Sequence, residues 1–532
     1  MKRIIALLLC ILLLFAATGC EKGKTPQTQN SKPSDSTDSD MQISLIYCDS
    51  DTVNPYTAVK TVNVQLCHLL YEPLIKVDNN FEPIYALAQS AQISGTTCTI
   101  KLKKATFTDS SAVTAADVVY SFNLAKGSDT VYAAQTAFAD SCTAKDSSTV
   151  VFTLKKADPY FLNLLDFPVL KAESDKKTTS DGKVLPPVGC GRYIFNEEDG
   201  FLTRNESYYG EKSSISKIKL INAPDSESVS HYVEVGATDV YYTDLADGEI
   251  IRMSGKKVSV PLNNLVFIGM NQNYAPLKSL YLRYAISAAV DRSRIAKNAY
   301  YTNAVPATGI FHPNFSATSR FQTLETTANS KISIENLEKI GYNKINSGGL
   351  RVNSSGSKLS LTLMVNKENQ SRVNAAELIA KQLGAVGISV TVDKVTFAQY
   401  TARLKSGSFQ LYIGEVRILN NMDVSSLVLP SGSAAWGVIE QKGSLVSASS
   451  SSATDNAEIV VDSFSNLSGL ISGFYSGKTT VADVASGVQT AMPVIPLCFR
   501  NGLLFYGKKL SGDITASLSD IYLSFANFKE VF

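Results

Sequence analysis

Between Leu359 and Ile413 the spacing of apolar residues switches period four times, and this alternation limits the fold more than any other feature of the chain. Leu359, Leu361, Leu363 and Val365 alternate with Ser360, Thr362 and Met364, the two-residue period of a half-buried strand. Ala375, Ala376, Leu378, Ile379 and Leu383 then recur at helical spacing, and Gly384 and Gly387 close that helix. Ile388 to Val392 extends again, Phe397, Tyr400 and Leu404 make a second helical face, and Phe409 to Ile413 returns as a strand. A strand-helix-strand-helix-strand run builds an α/β unit around a largely buried sheet. Ligands in such sheets bind at the carboxyl ends of strands, so the segment after Ile413 is a place to look for binding residues.

The rest of the chain alternates in the same way. Thr99 to Lys103 and Val150 to Leu154 read as strands, and Asp158-Pro159 reads as a turn. Thr114 and Asp117 have the spacing of a capping box, with Val118, Phe122 and Ala125 on the apolar face, so Asp117 is a cap rather than a catalytic acid. Cys67-His68 lies within Val64 to Leu70, where a helical core face explains the pattern better than a metal site. With 532 residues, 44% of them hydrophobic, the chain has mass for about three domains.

The N-terminus carries a targeting pattern. Lys2 and Arg3 precede an apolar run from Ile4 to Ala17, and Ala17-Thr18-Gly19 places small residues before Cys20. The run is too short to span a bilayer and reads as a secretory signal, with Cys20 the lipidated residue of a lipobox-like site. Residues 21–40 hold no aliphatic or aromatic side chain apart from the linker's own proline rings and are expected to be a flexible tether. Two acyl chains on Cys20 would give stable anchoring to the outer face of the cell membrane, facing a periplasm if the organism has one.

Charge and motif content exclude several functions. Fifty Lys and Arg balance 48 Asp and Glu with no basic block, which argues against a nucleic-acid partner. The histidines, His68, His231 and His312, are scattered, and no HExxH, GxSxG, GxGxxG or P-loop occurs. No cofactor is implied and an enzyme is not expected. Cys48, Cys67, Cys98, Cys142, Cys190 and Cys498 form no CxxC pair and are expected to be mainly buried free thiols.

A set of collinear blocks resembles a known family. Asn54-Pro55-Tyr56, Leu70-Tyr71-Glu72-Pro73-Leu74, Phe81-Glu82-Pro83, Val113 to Ser121, Val188-Gly189-Cys190-Gly191-Arg192-Tyr193, Leu280 to Arg292 and Pro493 to Leu497 are similar in order to the family 5 extracellular solute-binding proteins. These are the oligopeptide and dipeptide receptors of ABC importers. The similarity runs from about residue 43 to 530. It implies an α/β fold of the periplasmic-binding-protein type II, two lobes with an extra domain. By that resemblance 41–57, 181–262 and 500–532 form domain I, 58–180 the extra domain II, and 263–499 domain III, after the signal over 1–19 and the lipidated cysteine and tether over 20–40. Most signature residues are expected to serve the fold: Asn54-Pro55 and Glu72-Pro73 as turns, Arg283 and Asp291-Arg292 as helix-end charges, Gly189 and Gly191 as permissive backbone.

The resemblance also locates ligand contacts. In the peptide receptors an acidic residue just after the strand corresponding to Phe409 to Ile413 pairs with the peptide ammonium; the aligned position here is Ile418 or Leu419. An apolar side chain cannot offset desolvation of an ammonium. Glu415 or Asp423 could take that role from a neighbouring position, and Arg417 could instead face a carboxylate or other anion. Thr243 and Asp244 match a strand end near the hinge, and Tyr132 matches an aromatic of the second lobe. The resemblance thus implies a monomeric receptor that captures a small solute, a peptide above all, and delivers it to an ABC permease and its ATPase. A surface lipoprotein hydrolase and a sensor or adhesion lipoprotein stay open, as do nickel complexes, opines and sugars as solutes.

Overall fold

The computed structural model describes residues 41–248, 255–318, 322–439 and 463–530, with side chains of 463–466, 529 and 530 excepted. The signal, Cys20, the tether and the Ser-rich stretch Ser444 to Ser452 lie outside the described residues.

Three main sheets carry the chain. Met41–Tyr47 pairs in parallel with Ile215–Asn222, which continues antiparallel through Phe201–Arg204 to Tyr193–Asn196. Ala88–Ser94, Thr97–Leu102, Thr149–Leu154 and Ala139–Asp146 form a second, antiparallel sheet. Its strand Thr97–Leu102 alternates, burying Cys98, Ile100 and Leu102 beneath the helix Ala115–Ala125. That helix begins as the sequence indicates, since the Asp117 carboxylate accepts from the Thr114 backbone N–H at 2.9 Å and from its hydroxyl at 2.6 Å.

The third sheet is mixed and has seven strands. Val240–Thr243, Val494–Tyr506, Lys256–Met270, Leu411–Arg417, Ser360–Asn366 and Ser389–Val395 follow one another across it, and Ala304–Pro306 pairs with Val494–Tyr506. The alternating run of the sequence forms one side, with the helices Gln370–Ala385 and Phe397–Ser406 linking three parallel strands. Ser360–Asn366 lies between the other two and is buried almost throughout rather than on one face, because a central parallel strand is covered on both sides. Gly387, at φ +87°, allows the turn in which the Ile388 N–H bonds back to the Leu383 carbonyl at 3.0 Å.

The hydrophobic cores divide the chain where two strands are longest. One core draws on residues from Met41 to Val260 and again from Leu504 to Phe528. Two others draw almost entirely on residues from Leu265 to Phe499, with Val77 and Phe81 reaching across. Lys256–Met270 and Val494–Tyr506 therefore run from one set of cores into the other. Their pairing register shifts between Pro261 and Leu265, at the crossing itself.

Several signature residues do work that differs from the sequence reading. Glu72-Pro73 is a short strand paired with Pro168–Val169, not a turn. Arg283 and Arg292 are not exposed helix-end charges: both are buried, Arg283 donating to the Leu277, Lys278 and Ala491 carbonyls, Arg292 to four carbonyls and the Ser287 hydroxyl. Burial without a bound carboxylate pushes both guanidiniums down to about 10. Gly189 and Gly191 are required by close approach, since a Cβ would sit 2.1 Å from the Leu70 carbonyl oxygen and 2.4 Å from that of Leu69. The Ser- and Gly-rich stretch Ser347 to Ser357 contains the paired residues Arg351–Val352. All six described cysteines are buried and unpaired.

The C-terminal segment is tied back by a buried ionic network. Asp520 accepts from Arg192 at 2.6 Å and from Lys76 at 3.0 Å, and Lys76 also meets Glu72 at 3.0 Å. Burial opposes ionisation of Asp520, but Arg192 and Lys76 outweigh it and hold the carboxyl far below its usual range. A depressed acid stabilises the fold above the carboxylate range of the unfolded chain, and that stability is lost as pH falls through it. Asp520→Ala, which leaves buried Arg192 without an acid and Lys76 with Glu72 alone, is expected to cost about 3–5 kcal/mol in denaturant unfolding, with the deficit shrinking below about pH 4.

Candidate functional site

The strand Leu411–Arg417 delivers the chain to the junction of the cores. Its central glutamate fixes it there: Glu415 accepts from Arg500 Nε at 2.6 Å, Arg372 Nη2 at 2.7 Å and Asn264 Nδ2 at 2.9 Å. Burial works against this carboxylate, and the two guanidiniums overcome it, so its pKa lies below the ordinary value. Arg500 also donates Nη1 to the Asp244 carbonyl, tying the strand to the Val240–Thr243 side of the sheet. Both Glu415 oxygens are thus engaged by the chain itself.

Two residues on, Arg417 is exposed, and among the described residues no side chain or carbonyl hydrogen-bonds or ion-pairs with its guanidinium. The following residues then bridge the cores. Ile418 is buried with the second core, and its N–H donates to the Asn263 carbonyl at 2.8 Å. Leu419 packs against the first core. Asn163 donates to the Asn420 carbonyl at 3.1 Å, and Asn421 donates to the buried Asp158 carboxylate at 2.7 Å. Met422 is held at φ +61°, a conformation a non-glycine residue keeps only where its surroundings fix it.

An acid the sequence reading missed lies in the field of Arg417. Asp166 lies within electrostatic reach of Arg417 and accepts from Gln135 Nε2 at 2.5 Å and Ser519 Oγ at 3.2 Å. Burial raises its pKa, and Arg417 opposes the rise. Tyr132 and Tyr242 share the same field. Burial raises both phenols, Asp166 adds to the effect at Tyr132 and Asp244 at Tyr242, and Arg417 counteracts it at each. Tyr132 packs edge-on against Tyr56, with ring centroids 5.8 Å apart. Tyr242 fits because Gly502 has no side chain: a Cβ there would meet the phenol oxygen at 2.6 Å. Its hydroxyl is buried without a partner among the described residues.

The other residues singled out from sequence lie around this centre. Asp244 and Thr243 line a cavity of about 420 Å³, reached also by Lys60 and Asp225, at the carboxyl ends of the parallel strands Met41–Tyr47 and Ile215–Asn222. Within it the Thr243 hydroxyl accepts from the Leu245 N–H, and the Asp244 carboxylate accepts from the Ala246 N–H at 3.0 Å. Asp423 accepts from the Ser425 N–H at 2.9 Å and hydroxyl at 2.5 Å, close to Asp158 and Tyr475. No sequence motif marked Asp166 or Tyr242, because their relation to Arg417 exists only after three distant segments meet.

The model of the bacterial extracellular solute-binding proteins, family 5, matches residues 82–436, and the chain belongs to that family. It is similar to a putative ABC transporter peptide-binding protein of Brucella ovis, 25% identical over 350 residues, covering 62% of this chain and 64% of that protein. The chain therefore spans just under two thirds of the length of that curated relative. Among solved structures it resembles the unliganded open form of the periplasmic murein tripeptide binding protein MppA, with TM-score 0.71, 17% identity, and 92% and 98% of the two chains covered. It also resembles NikA from Brucella suis in complex with Fe(III)-EDTA, with TM-score 0.68, 20% identity, and 92% and 100% covered. These likenesses give the fold, the α/β architecture of two lobes with an extra domain. No described helix is long and apolar enough to cross a membrane.

Glu415→Gln is expected to lower stability markedly, by about 3 kcal/mol in denaturant melts, since it leaves the buried Arg500 and the half-buried Arg372 facing a neutral amide. Retention of full stability would show that the triad is dispensable.

Proposed function

We propose that the protein is an extracytoplasmic receptor of an ABC importer that closes two lobes on a small solute, a peptide above all, and presents it to the permease and its ATPase. On this reading Cys20 carries the lipid that holds the receptor at the membrane, and it acts as a monomer without catalysis. Domain I comprises 41–57, 181–262 and 500–532, domain II 58–180, and domain III 263–499. The ligand lies where these meet.

The observation that carries the reading is Arg417, an exposed guanidinium without a hydrogen-bond or ion-pair partner among the described residues, whose charge acts on Asp166, Tyr132 and Tyr242. A guanidinium holds a carboxylate in two hydrogen bonds, and tyrosines supply both apolar faces and hydroxyls to a short peptide. Asp166 supplies an acidic partner for a ligand cation where the family's usual position is apolar, with Asp244 and Asp423 at the edges. Closure would be favoured because the ligand then touches both lobes. The name of the Brucella ovis relative, a peptide-binding protein, supports peptides as the solute class.

A thermal melt of the protein with and without a pool of short peptides tests the proposal. Ligand at a hundred times its dissociation constant adds about 2.7 kcal/mol of stability. Arg417→Ala is expected to leave the unliganded melt unchanged and to weaken peptide binding about tenfold to a hundredfold, the value of a charged hydrogen bond. No shift with millimolar peptides would overturn peptide capture. Cleaved peptide fragments in the mass spectrum would favour the hydrolase instead.

A further inference from the structure

Residues 58–180 and 263–499, the extra domain and domain III on the proposed division, meet along a seam that begins at Asn420, just past Arg417. We propose that this seam closes one end of the binding space, so that the receptor takes short peptides, of about two to four residues, and excludes longer ones. The inference rests on the reading of Arg417 as the holder of the solute's carboxylate.

The seam is built like a core. Tyr160 stacks on Phe474, ring centroids 5.6 Å apart, and meets Phe315 edge-on at 5.2 Å. Phe81 lies against His312, ring centroids 5.0 Å apart, and joins the core that otherwise draws on residues of domain III. Phe81, His312, Phe315 and Phe474 are at most 5% exposed. Parting the seam brings these rings into water, which favours the closed arrangement.

Polar groups are paired across it as well. The buried Asp158 carboxylate accepts from Asn421 Nδ2 at 2.7 Å, and the buried Asn163 donates to the Phe81 carbonyl at 2.8 Å and the Asn420 carbonyl at 3.1 Å. Asn314 donates to the Asn79 carbonyl at 3.1 Å, and Ser316 to the Glu82 carboxylate. A peptide threaded through the seam has to break these buried bonds, and each group left unpaired costs its desolvation. Phe81 on one side and Met422 on the other are held at φ +61°, strain that persists where the surroundings fix it and that collects at ligand clamps.

Lys156 covers the outer edge, its ammonium 3.4 Å from the centre of the Tyr475 ring. Outside this pair lies an open pocket of about 510 Å³, and none of residues 417–423 lines it, so it does not run through to the strand end.

Distance sets the size limit. An extended chain covers at most about 3.6 Å per residue, so Asn420 lies within about 11 Å of Arg417, backbone to backbone. The Met422 N–H bonds back to the Leu419 carbonyl at 2.8 Å, which draws the segment in further. The strand Leu411–Arg417 fills the opposite direction. A peptide whose carboxylate sits on the Arg417 guanidinium therefore has room for about two to four extended residues before it meets Asn163 and Tyr160. The limit holds even if the seam parts to admit the solute, because the solute lies inside once the seam has formed again.

The test incubates the full chain with pools of random-sequence peptides, each pool of a single length from two to eight residues. Native mass spectrometry identifies what is retained, and thermal melting gives the affinity. Peptides of two to four residues are expected to be retained, with affinity falling about tenfold or more at six residues and beyond. The double variant Lys156→Ala, Tyr160→Ala is expected to narrow that gap about tenfold. Lys156→Ala alone, which removes only an exposed side chain, keeps the comparison open should the double variant fold poorly, and is expected to narrow the gap severalfold. Equal retention of the longest and shortest peptides by the unaltered chain overturns the length limit and leaves peptide capture standing. A limit unchanged in the variants that fold overturns the seam as its cause. Retention of no peptide of any length overturns peptide capture itself, and this inference with it.

Discussion

Two strands, Lys256–Met270 and Val494–Tyr506, carry the connection on which the rest of the molecule depends. They pair with each other on both sides of a register shift, and each side belongs to a different set of cores. Where a ladder is interrupted the local twist increases, and the shift between Pro261 and Leu265 puts that interruption where the chain passes from one set of cores to the other. Glu415 braces the crossing, because Arg500 on one long strand and Arg372 on the helix Gln370–Ala385 both reach it. The strand Leu411–Arg417 is thus tied to both, while Arg500 also holds the Asp244 carbonyl on the strand Val240–Thr243 side.

What could be read in the sequence follows from how local each feature is. The strand and helix order from Leu359 to Ile413, the Thr114–Asp117 cap and the turn at Asn54 depend on neighbours a few residues apart, and the structure has them. Arg283 and Arg292 were misjudged because nothing local shows that seven carbonyls surround them; a charge near a helix end looks the same whether it faces water or the core. Glu72-Pro73 was misjudged for the same reason, its strand partner being Pro168–Val169 almost a hundred residues away. Gly189 and Gly191 were correctly marked as needing glycine, but for a reason visible only when their neighbours at Leu69 and Leu70 are in place.

The candidate site was the least legible part. Arg417 stood out as a charge after a predicted strand, and Tyr132 and Asp244 could be placed by family resemblance. Asp166 had no such signal, and its proximity to Arg417 arises only when a loop from one core meets a strand end from another. A pair of ionisable groups in a cleft gains its meaning from burial and distance, neither of which composition or spacing records.

Arginine use across the chain gives a physical criterion for which of these charges is available to a ligand. Arg192, Arg372 and Arg500 meet carboxylates at 2.6–2.7 Å, Arg372 and Arg500 sharing the single carboxylate of Glu415, so all three are engaged within the fold. Arg283 and Arg292 lack a bound acid but are surrounded by carbonyls, so they tie backbone segments together and are closed to solvent. Arg417 meets neither condition: it is exposed, and no described residue hydrogen-bonds or ion-pairs with its guanidinium. On the proposed reading, a ligand carboxylate there would gain a two-bonded contact from a guanidinium that the fold has not already engaged. On the same reading, Ile418 and Leu419, standing where the family resemblance implies an acid, remove one attraction for a ligand ammonium and leave Arg417 to hold an anionic end first.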